Sequence, residues 1–166
     1  NQIGADNQQE RLHQVGWIVG FTDGEGCFSV SIFRNRTTKF GWQVMPEFVI
    51  TQGASSLTAL ESIQKYFGCG RIFINHRYDN HHEHLYRYCV RTLSDLRDTI
   101  IPFFQQNPLQ TFKQQDFLRF CQVVEMMSNR HHFTQEGLNE IAQLIGKDLL
   151  SESSETIRRG PSADGQ

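Results

Sequence analysis

Apolar residues recur at two different periods along this chain, and the switches between them mark its elements. Over residues 9–22, Leu12, Val15, Ile18, Val19 and Phe21 recur at helical spacing, which predicts a first helix with one apolar face. Phe28, Val30 and Ile32 then alternate with Ser29 and Ser31, the pattern of a half-buried strand. After a polar turn at residues 35–41, Trp42, Val44, Phe48 and Ile50 alternate with Gln43, Met45, Glu47 and Thr51. The short connection makes these two strands an antiparallel hairpin. Pro46 inside the second strand implies a bulge or an unpaired ladder position.

Leu57, Leu60, Ile63 and Phe67 form a helical stripe that ends at Gly68. Ile72 and Ile74, then Tyr86, Tyr88 and Val90, form two alternating runs around a turn at Asp79-Asn80, a second hairpin. Thr92 to Asp95 and Thr111 to Gln114 have the spacing of capping boxes, each opening a helix. Asn107-Pro108 ends the first of these. The second carries Phe117, Phe120, Cys121, Val124 and Met127, and Thr134 caps a last helix through Leu138, Ile141 and Ile145.

The order is α-ββ-α-ββ-α with further helices, an α+β arrangement in which helices cover one face of an antiparallel sheet. The other face, carrying Ser29, Ser31, Gln43, Arg71, Asn75, Arg87 and Arg91, is left open. Residues 1–9 are expected to be a flexible tail, 10–150 one domain, and 151–166 a polar C-terminal tail.

Composition narrows this picture. A chain of 166 residues with 38% hydrophobic and 20% charged residues suits one globular domain rather than a disordered one. It has no apolar run long enough to span a bilayer, so no membrane partner is expected. The polar start lacks a signal-peptide core, and cysteines 27, 69, 89 and 121 lie far apart. Both features suit free thiols in an intracellular protein, in an organelle (chloroplast or mitochondrion) or a prokaryotic cytoplasm. The net charge of −2 argues against a nucleic-acid binder only if it is evenly spread. The segment from Phe28 to Arg91 carries +4 and the remainder −6, so positive charge is concentrated where a one-faced DNA site requires it.

The most unusual stretch is Val15-Gly-Trp-Ile-Val-Gly-Phe-Thr-Asp-Gly-Glu-Gly26. Gly16, Gly20 and Gly24 are four apart and share one helix side, where another backbone can approach closely. Each costs about 1 kcal/mol relative to alanine in a helix. Asp23 and Glu25 crowd the helix end that disfavours negative charge. Residues 18–26 of this stretch resemble the nine-residue signature of the LAGLIDADG homing endonucleases, with Glu25 where that family usually has Asp. The element order extends the resemblance to roughly residues 10–150.

The resemblance implies a fold whose saddle-like open face lies along the DNA major groove. It implies Glu25 as a metal ligand and Gly24 as a second one through its carbonyl. The cofactor would be Mg²⁺, or another divalent cation such as Mn²⁺ or Ca²⁺. Pro46-Glu-Phe-Val-Ile-Thr-Gln52 resembles the strand that delivers a water-ordering glutamine, Gln52, against the alternative of a solvated strand end. Lys113, in the first turn of its helix where a cation is least welcome, matches a lysine placed near the scissile phosphate. The further basic residue expected soon after Gln52 is missing from Gly53-Ala-Ser-Ser56.

Arginines and amides read guanine and adenine edges in the major groove. Ser29, Ser31, Asn35, Gln43, Arg71, Asn75, Arg77, Arg87 and Arg91 are therefore expected to contact DNA. His76, His81, His82 and His84 with Glu83 suggest zinc, but neighbouring histidines in a turn seldom converge on one tetrahedral ion. Solvated histidines at a hairpin tip are the better reading. Asp23 is expected to cap the helix or bond across an interface rather than bind metal. One motif supplies one carboxylate centre and duplex cleavage needs two. A homodimer packed through Gly16, Gly20 and Asp23 on a pseudo-palindromic site is therefore expected. The resulting reading is an intron-encoded, Mg²⁺-dependent, site-specific endonuclease acting on double-stranded DNA. Two alternatives are an RNA maturase binding intron RNA and a nuclease-dead DNA-binding regulator.

Overall fold

A computed structural model describes residues 2–76, 84–147 and 149. Helix α1 spans Gln2–Glu25, strand β1 Gly26–Arg34 and strand β2 Trp42–Gly53. Helix α2 (Leu57–Phe67) leads to β3 (Arg71–Asn75) and β4 (Leu85–Val90). Then come α3 (Leu93–Asp95), a π-helical stretch (Leu96–Ile100), α4 (Ile101–Gln106), α5 (Lys113–Ser128) and α6 (Gln135–Leu144). The four strands form one antiparallel sheet in the order β1-β2-β4-β3, so both expected hairpins are present and β1 lies at one edge.

Register explains the two faces. Phe28↔Phe48, Phe48↔Val90 and Ile72↔Tyr88 are paired, so even-numbered residues of every strand point to the helices. Phe28, Phe48, Ile50, Tyr88 and Val90 join Ile18 of α1, Leu60, Ile63 and Phe67 of α2, and Phe104, Phe117, Phe120 and Val124 in the main core. Phe28 stacks on Phe48 at 4.9 Å and meets Phe117 edge-on at 5.0 Å, an aromatic cluster whose pairs add to simple area burial. Ile32, Trp42 and Val44 bury a second cluster against Val123, Leu138 and Ile141. Odd-numbered residues face away from the helices.

Several local expectations change. Residues 2–9, expected as a loose tail, belong to α1, and Leu12 on that helix is 64% exposed. The β1–β2 register runs through Val30↔Pro46 without a bulge, and β4 pairs with β2 only from Phe48 onward. Pro46 thus lies where one side of β2 has no strand, the placement its missing N–H favours. The helical run after Thr92 is widened into π geometry just before Pro102, because a proline removes an interior backbone bond. Neither expected capping box forms: Thr92 makes no side-chain cap, and the cap of α5 is Phe112. Thr134 does cap α6, accepting from the Gly137 N–H at 3.0 Å.

Candidate nucleic-acid interface and catalytic centre

Helix α1 is buried along Ile18 and Thr22, both 0% exposed, and it runs directly into edge strand β1 at Gly26. On its opposite side Gly16, Gly20 and Gly24 are exposed, and a Cβ on any of them would meet nothing within 4 Å. The glycines therefore serve no packing among the described residues. The last four carbonyls of a helix lack intrahelical partners and carry partial negative charge. Here no basic residue of α1 itself compensates them.

Compensation comes from 91 residues away. Lys113, the first residue of α5, folds back so that its Nζ donates to the Thr22 carbonyl at 2.9 Å. A cation poorly placed on its own helix thus sits at the favourable end of another. The loop before α5 is fastened by Asp23. One carboxylate oxygen accepts from the Gln110 N–H at 2.6 Å, and the other accepts from the Thr111 N–H at 3.2 Å and its hydroxyl at 2.7 Å. Burial pushes the Asp23 carboxyl up, but these hydrogen bonds and the Lys113 charge outweigh it and leave its pKa lowered. Asp23 is therefore a lock within its own chain, and the Thr111 hydroxyl that donates to it also accepts from the Lys113 N–H at 3.3 Å, joining the lock to the first turn of α5.

Glu25 and Gly24 are exposed at this same helix end. A carboxylate and helix-terminal carbonyls form a hard-oxygen set, which suits Mg²⁺, Mn²⁺ or Ca²⁺ completed by water and phosphate oxygens. Among the described residues no cluster of three His, Cys, Asp or Glu could hold a metal, so none of them forms a closed cage around an ion. The β1–β2 ladder ends at Gly26↔Ile50. Gln52 continues two residues past it, alongside the point where the neighbouring strand becomes α1.

On the open sheet face the odd-numbered register places Ser29, Ser31, Gln43, Arg71, Asn75 and Arg87 together, with Arg91 just beyond β4. The Asn35 amide donates to Gln43 Oε1 at 2.6 Å and its oxygen accepts from Thr37, so Asn35 shapes the hairpin turn. Arg77, His81, His82 and Glu83 lie outside the described residues. His76 and His84 meet edge-on at 4.8 Å. Three features of this face were not anticipated from sequence. Phe33 and Phe73 are exposed on it, and Glu47 is only 6% exposed at its centre, bonded to both Arg87 and Arg91. Burial raises the Glu47 carboxyl, yet the Arg91 hydrogen bond and the Arg87 charge leave its pKa lowered. Alternation marked Glu47 only as a polar position on this face.

Among the described residues, no helix is long and apolar enough to cross a membrane. The chain is 31% identical over 131 residues to "Probable intron-encoded endonuclease 3" of Neurospora crassa, covering 79% of this chain and 24% of that protein. It thus spans about a quarter of that relative's length. The crystal structure of the homing endonuclease I-TnaI superposes with a TM-score of 0.74 at 38% identity, over 86% of this chain and 97% of that one. I-SmaMI bound to uncleaved DNA in the presence of calcium ions superposes with a TM-score of 0.71 at 36% identity, over 78% of this chain and 42% of that one. The family model for LAGLIDADG endonuclease matches residues 18–124, from the middle of α1 into α5, and the chain belongs to that family.

Proposed function

We propose that this chain is the DNA-binding and cleaving unit of a site-specific homing endonuclease. It makes double-strand breaks in a long pseudo-palindromic target by metal-dependent phosphodiester hydrolysis. The observation that carries the proposal is the convergence at the end of α1. There a glycine-lined helix face, an exposed carboxylate and the imported Lys113 ammonium meet beside an open, arginine-bearing sheet. The DNA and calcium described for I-SmaMI support a duplex and a divalent cation as partners here.

Gly24 through its carbonyl and Glu25 through its carboxylate would hold the cation, whose chemistry there would be polarisation of the scissile phosphate and activation of water. Lys113, fixed by Thr22 and by the Asp23 lock, stabilises negative charge developing on the phosphate. Gln52 orients a water by hydrogen bonding. Ser29, Ser31, Gln43, Arg71, Asn75, Arg87 and Arg91 face the groove.

One chain offers one such centre. Because α1 leads straight into edge strand β1, a second copy packed on Gly16, Gly20 and Gly24 sets two open faces in line with two acidic helix ends between them. Such symmetry matches a pseudo-palindrome. The test is incubation with a library of duplex sites and Mg²⁺, followed by sequencing of cut ends. Recovery of one related set of cut sites is expected. Random ends, or RNA binding with no DNA cutting, would overturn the proposal.

A further inference from the structure

The centre of the open face holds an anion where a DNA-binding surface should exclude one. Glu47 lies on β2, and its carboxylate is covered by two arginines from the β4 side, 40 and 44 residues away. Arg91 Nε donates to one oxygen at 2.7 Å and Arg87 Nη2 binds the other, while the Cys89 thiol lies 3.5 Å away. The arginine side chains stay 38% and 45% exposed while that of Glu47 is 8% exposed. Burying a carboxylate is costly, and an apolar residue beside Val49 and Cys89 would serve stability as well. The arrangement instead restrains two long side chains that would otherwise sample many rotamers. Arg91 is held through Nε, which leaves its two Nη groups out of the bond to Glu47, and such an Nη pair can bond bidentately to guanine O6 and N7.

We propose that Glu47 is a positioning residue for base recognition, holding Arg87 and Arg91 in one geometry toward the DNA. The inference rests on the DNA-facing reading of this sheet. The anion has a second effect: it offsets one of the two positive charges, weakening attraction to any phosphate while leaving the directional contact. Specificity is a difference of affinities, and suppressing the non-specific one widens it.

Glu47→Gln keeps the shape and removes the charge. On a target selected from random duplexes, the base discrimination lost at the positions read by these arginines should be about tenfold, within the roughly 5- to 150-fold that a bidentate contact supplies. Non-specific binding should tighten, and the slope of log K against log salt should steepen by about 0.9 per added phosphate contact. Glu47→Asp keeps the charge but reaches only one arginine, and should fall between. In the free protein, the Arg91 Nε–H resonance should be protected in the parent and lost in Glu47→Gln. Loss of that resonance with unchanged discrimination and salt slope would overturn the positioning role. An unprotected Arg91 Nε–H in the parent would overturn the geometry. A parent that binds no duplex would overturn the DNA reading itself, with the clasp intact by resonance.

Discussion

Substituting Gly26→Ala should destabilise the protein through a single clash at the junction of α1 and β1. The backbone of Gly26 is not in the left-handed region, so alanine meets no conformational penalty and the cost is steric. Its Cβ would lie 2.6 Å from Thr22 Cγ2, 2.8 Å from the Thr22 carbonyl oxygen and 3.1 Å from Thr22 Cα, well inside ordinary contact distance. Neither side yields freely. Thr22 is fully buried with its carbonyl tied to Lys113, and Gly26 is paired with the buried Ile50. Overpacking of this kind costs about 1–3 kcal/mol. Weakening the Lys113 bond adds about 1 kcal/mol, at the low end because the lysine is partly exposed. The sum is roughly 2–4 kcal/mol against a typical total of about 5–15 kcal/mol. Urea unfolding should show a lower midpoint with unchanged slope. Adding Thr22→Ser removes Cγ2 but leaves the carbonyl in the way, so rescue should be partial. An unchanged midpoint for Gly26→Ala, or full rescue by Thr22→Ser, would refute this reasoning.

Thr22 itself gives a prediction of opposite sign. Its hydroxyl is buried with no hydrogen-bond partner among the described residues, so Thr22→Val should raise stability by about 1 kcal/mol, and a lower urea midpoint would contradict it. Gly20→Leu should leave the fold intact, since a Cβ there meets nothing among the described residues, but should dissociate the proposed dimer in sedimentation; an unchanged dimer would remove the glycine face from the interface. Asp23 and Glu47 both have folded pKa values below their ordinary 3.8 and 4.5. Each therefore contributes stability that is fully present above those ordinary values and is lost as pH falls through the lowered ones. Urea midpoints should drop on acidification below about pH 4.5 in the parent and drop less in Glu47→Gln; parallel curves would show that Glu47 carries no such linkage.

Local chemistry was legible in the sequence, and distant pairing was not. Phe28, Val30 and Ile32 against Ser29 and Ser31 placed β1 and its two faces correctly, because a period of two has one solution once a core exists. Leu60, Ile63 and Phe67 likewise identified the buried side of α2. Glu47 could not be identified as a clasp, since its burial depends on β2–β4 register, which brings Val49 opposite Cys89. Neither capping box formed, because partners distant from the helix starts were hidden. The Thr111 hydroxyl donates to Asp23 while accepting from the Lys113 N–H at 3.3 Å, the Gln114 side chain bonds the Leu109 N–H instead of closing the box, and Thr92 makes no side-chain cap. Residues 2–9 carry no apolar stripe, so periodicity stopped at Leu12 although the helix continues.

The central claim, that the end of α1 is a metal-dependent cleavage centre, is tested most directly with Glu25→Gln. Glutamine keeps the size and loses the charge proposed to hold a divalent cation, at an exposed position. On the proposed reading, DNA affinity arises from the sheet face and phosphate contacts, which this change leaves alone. A gel shift and a cleavage time course on the same duplex should show binding within a few-fold of the parent. Cutting in Mg²⁺ should fall by about two orders of magnitude or more, as expected when metal activation is lost. Cutting at the parental rate would contradict the assignment of Glu25, and with it the catalytic centre built on this helix end.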